Sequence, residues 1–176
     1  DKGRTMQMPF NGLSLLDYSI NATMALSHII LKKGDRAGMM TFSKKAENKV
    51  AAENKNGQLK KISEALYNIQ TNYFESDFNR LYQDVKFSIN QRSLVIMFSN
   101  FETLDALNRQ MKYLRGIAKN HLLVVVFFKN SEFQKLIHSN RENMQDIYDE
   151  IIAEKFEFEK IFFFNDTATT EIYTVY

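Results

Sequence analysis

The chain has 176 residues, 44% of them apolar and 25% charged, with a formal charge of +2 and no cysteine. That composition suits one globular domain with a real core and is short for two. It gives no electrostatic case for nucleic acid as a partner, and it excludes disulfides, thiolate metal sites and a Cys nucleophile.

The first six residues, Asp1-Lys2-Gly3-Arg4-Thr5-Met6, read as a loop that follows a buried strand and precedes a long helix. In an α/β sheet such a loop lies at a strand's carboxyl end, where ligands bind. An acid, a Gly and a hydroxyl at alternate positions suit an ion there. Met8 to Gly12 reads as an irregular turn. Leu16, Ile20, Met24, Ser27 and Leu31 then mark one face of a helix from about Ser14 to Lys32. Lys33-Gly34-Asp35 ends it, with Gly34 suited to a left-handed cap.

Arg36 to Phe42 is a short apolar run that predicts a buried strand, and the more polar Ala46 to Ala52 predicts an edge strand. Helices are expected over Gln58 to Gln70 and Glu75 to Ile89, the second capped by Ser76 or Asp77. Ser93 to Ser99 is near-continuously apolar, as in a central parallel strand covered on both faces. Asn100 to Thr103 is its carboxyl-end loop, with Thr103 as the N-cap of a helix from Leu104 to Lys119. His121 to Phe128 is a second buried strand. A short helix over 131–138 and an amphipathic one over 142–160 complete the pattern. The expected fold class is α/β: an open, mostly parallel, doubly wound sheet flanked by helices. Residues 1–130 form its core and residues 131–161 a helical extension.

Asp1-Lys-Gly-Arg-Thr-Met, Leu15-Leu-Asp-Tyr-Ser-Ile-Asn and Lys33-Gly-Asp-Arg-Ala-Gly-Met-Met-Thr-Phe-Ser carry a resemblance. Arg92-Ser-Leu-Val-Ile-Met-Phe-Ser-Asn and Asp146-Ile-Tyr-Asp-Glu-Ile-Ile-Ala-Glu-Lys-Phe continue it. In this order, to about residue 160, the chain resembles the von Willebrand factor A-like domain of a bacterial family known as domain of unknown function 58. The resemblance implies a first strand upstream of Asp1, missing from this chain and lying between the strands at Arg36–Phe42 and Ser93–Ser99. On that reading residues 1–160 alone are expected to aggregate or remain molten, because unpaired strand edges recruit other chains.

The resemblance also implies a metal-ion-dependent adhesion site, with metal positions falling on Asp1, Thr5, Ser76 and Asn100. Gly3 stands where the pattern has a hydroxyl, and Asn100 where it often has a carboxylate. A degenerate site follows, with no cofactor or weakly bound Mg²⁺, and Asn100→Asp is expected to strengthen binding by restoring a charged ligand. The implied role is a non-enzymatic, protein-binding module acting with a MoxR-type AAA+ ATPase. The implied location is cytoplasmic, with any membrane association supplied by missing upstream segments. No stretch here is long and apolar enough to be a membrane segment.

The alternative is a metal-assisted hydrolase using the same loops. It needs a carboxylate or His cluster to hold an ion and orient water, and the loops offer Asp1, Asp77 and Glu102 without a His. His28, His121 and His138 lie far apart in sequence with no second ligand at suitable spacing. Ser14, Ser19 and Ser43 have no nucleophile elbow, and the glycines form no phosphate-binding fingerprint.

The tail has another origin. Asn165-Asp-Thr-Ala-Thr-Thr-Glu-Ile-Tyr-Thr174 reads back as AAT GAT ACG GCG ACC ACC GAG ATC TAC AC, the oligonucleotide that anchors sequencing-library fragments to a flow cell. Residues 162–176 are therefore expected to be a translated adaptor without function, and long-read sequencing of the source genome should not recover them in frame.

Overall fold

The computed structural model describes residues 1–10, 12–128 and, as backbone, 172–175. The helices expected over 131–138 and 142–160 lie outside the described residues. The chain divides into two compact units, Asp1–Asn90 and Gln91–Tyr176. The class is mixed α/β: among the described residues there are four α-helices, and the strands form three small sheets, one of them parallel.

The first unit begins with a 3-10 turn at Arg4–Gln7. Two short strands follow, β1 (Pro9–Phe10) and β2 (Leu13–Ser14), pairing antiparallel where the sequence suggested only an irregular turn. Gly12, at φ +84°, makes the reversal between them, a conformation that costs glycine little. Helix α1 (Leu15–Lys32) starts at a complete capping box. The Ser14 hydroxyl accepts from the Asp17 amide at 3.1 Å, and the Asp17 carboxylate accepts from the Ser14 amide at 2.9 Å. The helix ends as Gly34 predicts. With Gly34 at φ +88°, its amide donates to Leu31 and that of Asp35 to Ile30, so two last-turn carbonyls are satisfied.

Strand β3 (Ala37–Phe42) pairs antiparallel with β4 (Ala46–Glu53). The register runs Ala37 to Glu53, Met39 to Val50 and Thr41 to Glu47. β4 thus carries an extra residue in each interval, the mark of two bulges, and Asn48 sits in the second at φ 42°. Helix α2 (Gln58–Tyr67) packs on this hairpin, and α3 (Phe78–Ser88) packs against β4. Asp77 caps α3 through the Arg80 amide at 2.9 Å. Met6, Leu15, Phe42, Ile62, Leu66, Phe78, Leu81 and Val85 are buried here, with the Phe42 and Phe78 rings edge to face at 5.4 Å. Ile20, Met24 and Leu31 on α1 are only half-buried.

Gln58, 1% exposed, joins α2 to the hairpin. Its amide donates to the Ala37 carbonyl at 2.8 Å and the Ala51 carbonyl at 2.7 Å, one on each strand. Nothing in its sequence context distinguishes it from a solvated helix-start Gln. Gln58→Met keeps the volume but removes both donors. Leaving the buried Ala37 carbonyl without this donor costs about 1–3 kcal/mol, partly offset by removal of the Gln58 side-chain oxygen, which is buried without a partner among the described residues, so a urea titration is expected to show a loss of about 1 kcal/mol.

In the second unit, β5 (Leu94–Phe98) and β6 (Leu122–Phe128) are parallel, from Leu94 opposite Leu122 to Phe98 opposite Val126. Helix α4 (Leu104–Ala118), capped by the Thr103 hydroxyl at 3.1 Å, makes the crossover and packs on β6. Leu107, Met111, Leu114 and Ile117 on α4 are buried, as are Met97, Leu123, Val125 and Val126 on the strands.

A last strand, β7 (Ile172–Val175), runs parallel to β6. Its pairing leaves open where the tail came from, because β-branched and aromatic residues suit an available strand edge whatever their source. β5 remains at a sheet edge, with Leu94 55% exposed, and β3 has β4 as its one strand neighbour among the described residues. The expected single sheet is thus present as separate small sheets.

Candidate functional site

The opening loop of the first unit is tied to two other loops through its backbone. The Lys2 amide donates to the Phe42 carbonyl at the end of β3 at 2.9 Å, and the Lys2 carbonyl accepts from the Asn72 amide at 3.1 Å. The Arg4 amide donates to the Phe74 carbonyl at 3.0 Å. From the β3–β4 turn, the Ser43 carbonyl accepts from the Asp77 amide at 2.8 Å and the Ser43 hydroxyl from the Asn72 side chain at 2.7 Å. The Lys2 ammonium pairs with the Glu47 carboxylate on β4. Residues 1–4, 42–47 and 72–77 therefore form one cluster at the end of β3, and it includes the opening loop that the sequence marked as a ligand site.

Within it, the Asp1 carboxylate accepts from the Gly3 amide at 2.8 Å and from the Ser76 hydroxyl at 2.5 Å through the same oxygen. Two of the residues expected at a metal site, Asp1 and Ser76, are thus in direct contact. Thr5 is half-buried in the 3-10 turn just beyond. Asn100 lies in the second unit, after β5, 5% exposed, with its side-chain oxygen accepting from the Phe101 amide at 3.0 Å. Although Asp1 as a residue is only half-buried, its α-amino group is enclosed, and burial lowers that group's pKa from 8.0 to about 5.

Mg²⁺ takes hard oxygens in near-octahedral array, commonly including one or two carboxylates. Here one carboxylate and one hydroxyl meet, already bonded to each other, and Asp77 is engaged as a helix cap. Among the described residues no three His, Cys, Asp or Glu side chains come together as a metal site. Of Asp1, Ser76 and Asp77, Asp1 alone brings a charged oxygen that is not engaged as a helix cap. His28 is exposed and His121 buried, in different units; His138 lies outside the described residues.

The cluster also carries residues that the sequence reading passed over. Tyr73 and Phe74 are 76% and 50% exposed, although large and aromatic. The Lys44 ammonium stands 3.5 Å from the Phe74 ring centroid, and the Gln7 side-chain amide donates to the Tyr73 hydroxyl at 3.2 Å. Two adjacent aromatics in a stretch without helical or strand period were the available signal. No protein-family model matches the chain, and no curated protein matches it. Among the described residues no helix is long and apolar enough to cross a membrane.

Proposed function

We propose that the chain is a non-enzymatic protein-interaction module whose partner docks on the loop cluster of the first unit. The observation that carries this reading is the exposed pair Tyr73 and Phe74 on a segment fastened by backbone bonds to the opening loop. Exposed aromatics on a rigid support are typical anchors of protein interfaces. The order of helices and strands, with the antiparallel β3–β4 pair and the parallel β5–β6 pair, supports reading the fold as von Willebrand factor A-like. On the family resemblance, the partner is a MoxR-type AAA+ ATPase and the location cytoplasmic. The metal-assisted hydrolase finds no ion-holding cluster among the described residues.

The test is binding of the full chain to a MoxR-type ATPase from the same genome, with Tyr73→Ser and Phe74→Ser introduced together. Loss of an interface anchor typically costs 2 kcal/mol or more, so Kd is expected to rise about 30-fold. Unchanged affinity would place the interface elsewhere, and turnover of generic ester or phosphate substrates would restore the hydrolase.

A further inference from the structure

We infer that Gly3 and Ser76 are fitted to each other as a direct fastening of the opening loop to the 72–77 loop, so that this surface is assembled without a cation. A β-carbon built on Gly3 would lie 2.1 Å from the Ser76 hydroxyl oxygen, 3.1 Å from the Phe74 carbonyl oxygen and 3.2 Å from the Asp1 carboxylate oxygen. No β-carbon can stand at the first distance, so a side chain at position 3 would turn the Ser76 hydroxyl away from the Asp1 carboxylate. The absence of a side chain at position 3 is therefore what admits the Ser76 hydroxyl to the Asp1 carboxylate. A serine at position 3, as in the adhesion-site pattern, and Ser76 in its present place exclude each other. The carboxylate takes a neutral hydroxyl donor and an amide donor at one oxygen, where the pattern would set a cation, and charge-assisted bonds of this kind are among the stronger ones. The same contact holds Phe74, two residues before Ser76, beside the Arg4 backbone.

The inference needs no partner for its test, so its failure is distinguishable from failure of the docking proposal. Gly3→Ala, Ser76→Ala and the double variant of the full chain would be compared by thermal unfolding, with amide exchange of residues 72–77 as a second measurement. Gly3→Ala is expected to lower the midpoint and expose those amides. Adding Ser76→Ala should return much of the loss, because it removes the oxygen that the new β-carbon strikes. Strictly additive losses would overturn the fitted pair. If Gly3→Ala does not fold, recovery of folding in the double variant supports the pair, and failure of the double refutes it. The parent's midpoint and exchange should be the same in about 10 mM MgCl₂ and in EDTA, a concentration well above what a site of useful affinity requires. Stabilisation by Mg²⁺, or micromolar binding by calorimetry, would overturn assembly without a cation.

Discussion

Between pH 8 and pH 5, the chain with a free amine on Asp1 is expected to lose about 3 kcal/mol of folding stability. The same chain with that nitrogen in an amide bond is expected to lose far less. Burial lowers the α-ammonium pKa from 8.0 in the open chain to about 5 in the folded one. Above pH 8 both states hold the amine neutral and the group contributes nothing to the difference. As pH falls below 8 the unfolded chain takes up a proton that the folded chain refuses, and unfolding becomes easier at about 1.4 kcal/mol per pH unit. The slope ends near pH 5, where the folded state protonates too. The loss thus spans about three units, a large share of a typical stability of 5–15 kcal/mol. Urea midpoints at four pH values, in dilute solution where pairing through the β3 and β5 edges is suppressed, would check it for both forms. Equal slopes would mean that the amine reaches water.

How much of this could be read from the residues depends on the range of the interaction. The local signals were sound. Thr103 before α4 and Gly34 after α1 act within one turn of their own helix and cap where the sequence placed them, and of the two residues offered before α3 it is Asp77 that caps. The apolar runs at 94–98 and 122–128 are parallel neighbours, because seven consecutive apolar residues in β6 have few other ways to be buried. The Gln58–Gln70 helix was read too long, since the bonds end at Tyr67; Leu66 and Ile69 are buried alike, and burial alone does not extend a helix.

What stayed hidden is set by contacts distant in sequence. Lys2 reads as a solvated charge, yet it is buried and paired with Glu47, 45 residues away. Asn72 has no local pattern at all, and its role comes from Lys2 and Ser43. At the candidate site, the sequence singled out Asp1 and Ser76 but held no sign of the direct bond between them. It depends on a missing atom at Gly3, which composition and spacing record only as one glycine among six.

Gly38 is the second such position, and Gly38→Ala is expected to destabilise the first unit by roughly 3 kcal/mol, at the upper end of the usual overpacking cost. A β-carbon there would lie 2.6 Å from the Ala52 nitrogen, 2.7 Å from the Val50 oxygen and 2.8 Å from the Ala52 α-carbon. All three atoms are β4 backbone, so no side chain can turn aside. The close approach comes from the bulge: β4 fits three residue steps, Val50 to Glu53, against two in β3, Ala37 to Met39, and its extra residue is pressed toward the partner strand. β4 cannot back away cheaply either, since Gln58 bonds Ala37 and Ala51 on either side of the contact. Relief therefore means breaking those two bonds or undoing the bulge, and undoing it would shift β4 by one residue and turn its side chains to the opposite face. For a unit of about 90 residues, 3 kcal/mol corresponds to a fall in thermal midpoint of roughly 15 °C. A thermal scan of the variant, with amide exchange followed at 37–42 and 46–53, would measure it. A fall of only a degree or two would mean that β4 stands farther from Gly38 than these distances place it, and the bulged register would have to be redrawn.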